Sequence, residues 1–294
     1  MGVLAKGTVN ANGVEFAYLS AGAEDAGRPL ALCLHGFPDT AHGWRHLLPA
    51  LADAGFRAIA PFQRGYAPTQ IPADGCYQTG ALGTDANALH DALGGNGDAV
   101  IIGHDWGATG THAAAVLEPD RWRRVVTMAV PPGTAIALGL LTNLDQLQNS
   151  WYMFFFLHGL ADVVVPANDL AFIDRLWAQW SPGYDAATDL PLVKAALRDP
   201  ANLSAALGYY RATLGSGKRD ARYDDAQNAT QVVPPQPMLY LHGRQDGCIG
   251  VEVAQSAATS LPANVAVEII ENSGHFLHLQ QPEIVNARIL SFVS

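Results

Sequence analysis

The sequence predicts an α/β fold: a mostly parallel sheet flanked by helices and interrupted once by a helical insertion. Three observations carry this. Short apolar, β-like runs alternate with helix-like segments as far as Ala129. From about Thr134 that rhythm gives way to helical and irregular sequence dense in aromatic residues. It returns after the proline-rich border Val233-Pro234-Pro235-Gln236-Pro237.

The opening reads as a hairpin, with residues 8–10 and 14–19 flanking Asn12-Gly13, a pair that accepts the positive φ angles of a type I′ turn. The apolar run 30–34 then precedes a helix over 42–54, and 57–60 precedes a helix over 81–93. Run 99–102 leads into an alanine-rich helix over 109–117, and 125–129 closes this half. After the insertion come a strand at 238–241, a helix at 251–260, a strand at 265–270 and a final helix at 282–292. Apolar runs alternating with helices imply parallel strands covered on both faces. The expected division is a core of residues 1–133 and 235–294 with an insertion over 134–234.

Composition narrows the function classes. Of 294 residues 49% are hydrophobic and 15% charged, which suits a large core and argues against disorder. A net charge of −10 argues against nucleic acid or an anionic membrane as partner. Cys33, Cys76 and Cys248 are scattered and odd in number, as expected of free buried thiols in a reducing cytoplasm. No Cys/His spacing suggests a metal, and no cofactor is expected. The start, Met1-Gly2-Val3-Leu4-Ala5-Lys6, lacks the apolar core of a secretory signal, and no apolar stretch is long enough to span a bilayer. A soluble cytoplasmic protein is expected; oligomeric state is not legible.

The sharpest local signal is Gly103-His104-Asp105-Trp106-Gly107, set between a strand and a helix. Small residues on both sides let the chain turn tightly, presenting the middle side chain alone at the strand's end. An aspartate there is also a good helix N-cap, and its neighbours decide between the two readings. His35-Gly36-Phe37-Pro38 follows the first core strand, where the Phe37 N–H, with that of Trp106, can form a two-donor oxyanion hole. Asp246 follows the strand at 238–241, and His275, preceded by Gly274, follows the strand at 265–270. Nucleophile, acid and histidine thus occur in order in loops after parallel strands, which gather at one crevice. His104 and His35 read as scaffold, because a side chain next to the elbow points away from it.

A carboxylate nucleophile suits displacement at an sp³ carbon and leaves an alkyl ester, which His275, oriented by Asp246, would hydrolyse through water. Epoxides and alkyl halides both fit. An epoxide oxygen needs an acidic O–H, for which tyrosine serves, whereas a halide needs indole or amide N–H donors.

At this point the chain resembles the bacterial, soluble α/β-hydrolase-fold epoxide hydrolases over essentially its whole length. The resemblance is carried by His35–Pro38, Gly103–Gly107, the Asp246 loop and Gly274-His275. It implies an α/β-hydrolase fold whose insertion is a cap supplying two tyrosines that hold and protonate the oxirane oxygen. Ser150-Trp151-Tyr152-Met153-Phe154-Phe155-Phe156 is similar to the early cap run and points to Tyr152. Leu207-Gly208-Tyr209-Tyr210-Arg211 is similar to the late one and points to Tyr210, with Tyr209 a one-residue alternative. Phe37, Trp106, Trp151 and Tyr209 are expected to contact substrate, a small hydrophobic epoxide in an aromatic, apolar pocket, with water as second reactant. Phe62 and Gly208 depart from the usual Asp and Asn.

Two alternatives stay open. Haloalkane dehalogenases share the fold, the aspartate and the following tryptophan, with Trp151, Trp177 or Trp180 as conceivable halide donors. A non-catalytic scaffold of the same fold would be expected to have lost one of these residues.

Overall fold

Asn12 and Gly13 both hold positive φ, 45° and 73°, and fold β1 (Ala5–Ala11) back onto β2 (Val14–Ala21) in antiparallel register. This is a computed structural model describing residues 4–23, 25 and 27–294. Of the N-terminal hexapeptide, Met1, Gly2 and Val3 lie outside the described residues.

The remaining strands are β3 (Leu30–Leu34), β4 (Arg57–Pro61), β5 (Val100–His104), β6 (Arg124–Met128), β7 (Met238–Gly243) and β8 (Val265–Ile270). They complete one eight-stranded sheet in the order β1-β2-β4-β3-β5-β6-β7-β8. From β4 to β8 every pairing is parallel.

The strand period of two sorts side chains to two faces. Leu30, Leu32, Leu34, Ile59 and Ile101 pack with Leu89 of α2 (Thr79–Ala92) and Ala114 of α3 (Trp106–Leu117). Their alternates Ala31, Cys33, Ala58, Ala60 and Ile102 join the other cluster with Leu48 of α1 (Leu47–Asp53). Both faces are therefore dry, which is why these strands read as continuous apolar runs.

The helix expected over 42–54 is divided. A 3₁₀ turn, Ala41–Trp44, precedes α1, and Pro49 sits in the first turn of α1, where its missing N–H is harmless. In a continuous helix Pro49 would have broken the ladder. In contrast, α3 starts at Trp106, directly after Asp105, three residues earlier than expected.

Between β6 and β7 lie eight α-helices, one 3₁₀ helix (Ala221–Tyr223) and no strand among the described residues. The α-helices are α4 (Ala135–Thr142), α5 (Leu144–Asn149), α6 (Trp151–Phe155), α7 (Ala161–Val164), α8 (Ala167–Trp180), α9 (Leu190–Leu197), α10 (Pro200–Leu214) and α11 (Asp224–Ala229). After β7 come α12 (Val251–Ala258), then β8, α13 (Leu277–Gln280) and α14 (Pro282–Val293). Among the described residues no helix is long and apolar enough to cross a membrane.

Candidate active site

Asp105 sits at the turn from β5 into α3 with φ 53° and ψ −122°, a backbone state that costs a non-glycine residue about 1–3 kcal/mol. The turn closes because its neighbours lack side chains: a Cβ on Gly107 would run into the Leu34 carbonyl, and one on Gly103 into Gly107 itself. The strained turn directs the carboxylate away from the helix end, and its side chain caps no N–H of α3.

β3 lies beside β5, with Leu34 paired to Gly103, so the turn after β3 falls against Asp105. There Phe37 N–H donates to Asp105 Oδ1 at 2.7 Å. Gly36 permits this approach, because a Cβ on it would occupy the position of Oδ1. His35 braces the turn: Nδ1 donates to Gly36 O (2.9 Å) and Nε2 accepts from Gln63 N (2.9 Å).

Asp246 and His275 arrive on the loops after β7 and β8, which are neighbours in the sheet. Asp246 Oδ1 accepts from the N–H groups of Cys248 (2.8 Å) and Ile249 (3.0 Å), leaving Oδ2 to accept from His275 Nδ1 at 3.0 Å. His275 Nε2 stands 3.6 Å from Asp105 Oδ2 with no hydrogen-bond partner. Burial alone would lower the His275 pKa. The charge of Asp246 and its hydrogen bond, with the Asp105 carboxylate facing Nε2, outweigh it and raise the pKa well above the ordinary value.

The end of α8 clamps both loops. Trp180 O accepts from His275 N (2.8 Å) and Gly247 N (3.1 Å), and Ser181 Oγ accepts from Phe276 N (2.9 Å). From the other side His104 Nε2 donates to His275 O at 2.9 Å, which is the scaffold part expected of it.

A cavity of about 310 Å³ opens above Asp105. Trp106, Tyr152 and Tyr210 line it, so elements separated by about a hundred residues meet here. The two phenol rings are 5.7 Å apart, and the Tyr152 hydroxyl lies 3.2 Å from Cys248 Sγ. Burial first, and then the neighbouring Asp105 charge, push both phenols well above their ordinary pKa. They stay protonated and remain donors.

Three expectations for substrate contact need correction. Trp151 is 41% exposed and packs outward against Phe155 and Phe172, so it does not line the cavity. Tyr209 is turned away by the 100° step of a helix: its hydroxyl donates to Arg64 O at 2.8 Å and its ring stacks on Tyr77. The Phe37 ring is buried against Phe156 and Tyr210, leaving its N–H as the group at the site. Gly208 has a packing reason, since a Cβ there would strike the Tyr77 ring. Of the conceivable halide donors, Trp177 Nε1 already donates to Pro38 O (2.8 Å).

The cavity is not uniformly apolar, contrary to the expectation from composition. Val130, Ile136, Leu140, Met153 and Ile249 form one set of lining residues. Thr79, Thr109, His112, Thr213, Gln227 and Thr230 form another. Cys248, read only as a buried thiol, also lines it; its place two residues after Asp246 was the available signal.

A sequence profile of the alpha/beta hydrolase fold matches residues 29–282. The chain belongs to that family. Within it, the chain is 30% identical to an epoxide hydrolase of Caballeronia sordidicola, over 92% of this chain and 89% of that one. It is 28% identical to epoxide hydrolase A of Mycobacterium tuberculosis, over 100% and 98% of the two chains. The crystal structure of epoxide hydrolase A from Mycobacterium thermoresistibile superposes with a TM-score of 0.80 at 27% identity, covering 99% and 98% of the two chains. Among alpha/beta hydrolases, this chain therefore groups with the epoxide hydrolases.

Proposed function

We propose that this chain hydrolyses an epoxide to a vicinal diol, with Asp105, His275, Asp246, Tyr152 and Tyr210 as its working groups. The observation that carries this reading is two protonated phenols, Tyr152 and Tyr210, lining the same cavity as a carboxylate that has a histidine 3.6 Å behind it. A halide leaving group has no use for phenolic protons, and an epoxide oxygen requires one.

Asp105 Oδ2 attacks an oxirane carbon, the C–O bond breaks, and the oxygen takes a proton from a tyrosine. The alkyl ester that results is neutral at Asp105. His275 Nε2 then takes a proton from water, whose oxygen adds to the Asp105 carboxyl carbon. Charge develops on Oδ1, the atom already held by Phe37 N–H, with Trp106 N–H as the second expected donor. Asp246 stabilises the imidazolium. Collapse releases the diol and restores the carboxylate, and the proton on His275 returns to the phenolate through solvent. The balance consumes one epoxide and one water.

Residues 134–234, as a cap, supply both tyrosines and, through Trp180 and Ser181, the clamp on the His275 loop. The three free cysteines suit a cytoplasmic location. The test is a side-by-side assay with styrene oxide and a bromoalkane, measuring diol against released bromide. Bromide without diol would replace this reading with a dehalogenase.

A further inference from the structure

Epoxide selectivity turns on what else the cavity can hold, and two helix faces bear on it. On α3, Thr109 and His112 stand one turn apart on one face, about 5 Å and about 9 Å along the axis from its first residue, Trp106, and both line the cavity with Asp105, which precedes the helix. On α10, Thr213 stands one turn beyond Tyr210, and both line the cavity. Both helices thus contribute polar groups to the cavity besides the reacting ones.

These groups have unused hydrogen-bonding capacity. His112 Nε2 and Thr213 Oγ1 are buried without partners, and Thr109, half-buried, lines the same cavity. The other polar side chains of the wall are engaged. Gln227 accepts from Gly80 N (3.0 Å) and donates to Thr79 Oγ1 (2.7 Å), while Thr230 donates to Gln227 O (2.7 Å). A buried polar group left unmatched costs about 1–3 kcal/mol, so a ligand that satisfies it is favoured over one that does not. Among the lining residues Asp105 is the only Asp, Glu, Lys or Arg, which leaves no cation to receive a carboxylate. His112, held neutral by burial, offers one donor and one acceptor nitrogen.

We propose that Thr109, His112 and Thr213 form a subsite for a neutral hydrogen-bonding group, best a hydroxyl, carried on the epoxide about one to two helical turns from the oxirane. The proposal rests on the epoxide reading and deepens it. The substrate is then bifunctional, with an apolar body against Ile136, Leu140 and Met153 and a polar far end against α3 and α10.

The test compares 7,8-epoxyoctan-1-ol with 1,2-epoxynonane, which differ by hydroxyl for methyl at the far end. The full-length protein should favour the alcohol in kcat/KM by about tenfold, the effect of one net hydrogen bond. Thr213→Val with His112→Phe should bring that ratio to unity, and Thr213→Ser should keep it. Because the ratio is read within each protein, losses common to both substrates cancel. Equal rates in the unaltered protein, or a ratio that survives the double substitution, overturn the subsite. Calorimetric binding of the matched products, octane-1,2,8-triol against nonane-1,2-diol, asks the same question without turnover. If neither epoxide is opened, the epoxide reading fails, while tighter triol binding still upholds the subsite and equal binding removes it.

Discussion

The backbone N–H of Phe37 holds Asp105 Oδ1 at 2.7 Å, which divides the two oxygens of one carboxylate between different tasks. Oδ1 is the oxygen on which charge would develop in ester hydrolysis. Oδ2, 3.6 Å from His275 Nε2, would be the one to attack. The turn at Gly36 makes this division possible, since any side chain there would displace Oδ1.

Asp105→Asn should keep that contact through its amide oxygen and lose only the nucleophile. Turnover of styrene oxide should fall by about 10³-fold or more, with Tm within about 4 °C of the parent. Intact mass confirms that the asparagine persists during the assay. Parent-like turnover with the amide intact would falsify the nucleophile assignment.

His275→Gln should still open the epoxide but hydrolyse the ester about 10²–10⁴-fold more slowly. Mass spectrometry after mixing with styrene oxide should then show protein heavier by one substrate, with the adduct on the peptide carrying Asp105. No adduct, despite an intact fold, would remove the two-step mechanism.

Tyr152→Phe together with Tyr210→Phe should reduce the alkylation rate by about 10²–10⁴-fold, and each single change by less. Pre-steady-state tryptophan fluorescence, with Trp106 and Trp180 against the two phenols, follows this step. A double variant that alkylates at the parent rate would require another proton source.

Asp39 gives a pH-dependent stability. Burial pushes its carboxyl up to about 6, only partly offset by the facing His35 and Arg45; Asp189 adds to the rise, and His278 Nε2 lies 3.7 Å away. The folded state therefore keeps this proton after the unfolded chain, titrating near 3.8, has released it. Stability falls as pH climbs from about 4 through about 6, by at most about 3 kcal/mol, and is flat above. Asp39→Asn removes that slope, so its Tm advantage over the parent should grow between pH 4 and pH 7. Parallel Tm curves would show that Asp39 does not carry the slope.

Several features were legible because they are local. Asn12-Gly13 dictates its turn, buried parallel strands must be continuously apolar, and Gly103 and Gly107 mark a turn that nothing larger could make. Pro49 was also visible, and its effect on the 42–54 helix follows from its missing N–H. What stayed hidden depends on direction. Tyr209 and Tyr210 are chemically identical neighbours, and only the rotation of α10 sends one to Arg64 and the other to the cavity. Trp151 looked like substrate wall beside Tyr152, yet the rotation of α6 turns it outward. His112 carried only its place on the helix that follows Asp105, without any hint that a cavity runs along that face.

By itself, then, the sequence determined the α/β architecture, the order of Asp105, Asp246 and His275, and the residue types around them, because backbone turns and strand burial are dictated by residues close in the chain. Only the tertiary structure decided which atoms of those residues meet, which tyrosine faces the site, and that the cavity lining includes a set of polar side chains. Those outcomes depend on how α3, α8 and α10 are rotated against the sheet, and that rotation is set by packing between elements far apart in sequence.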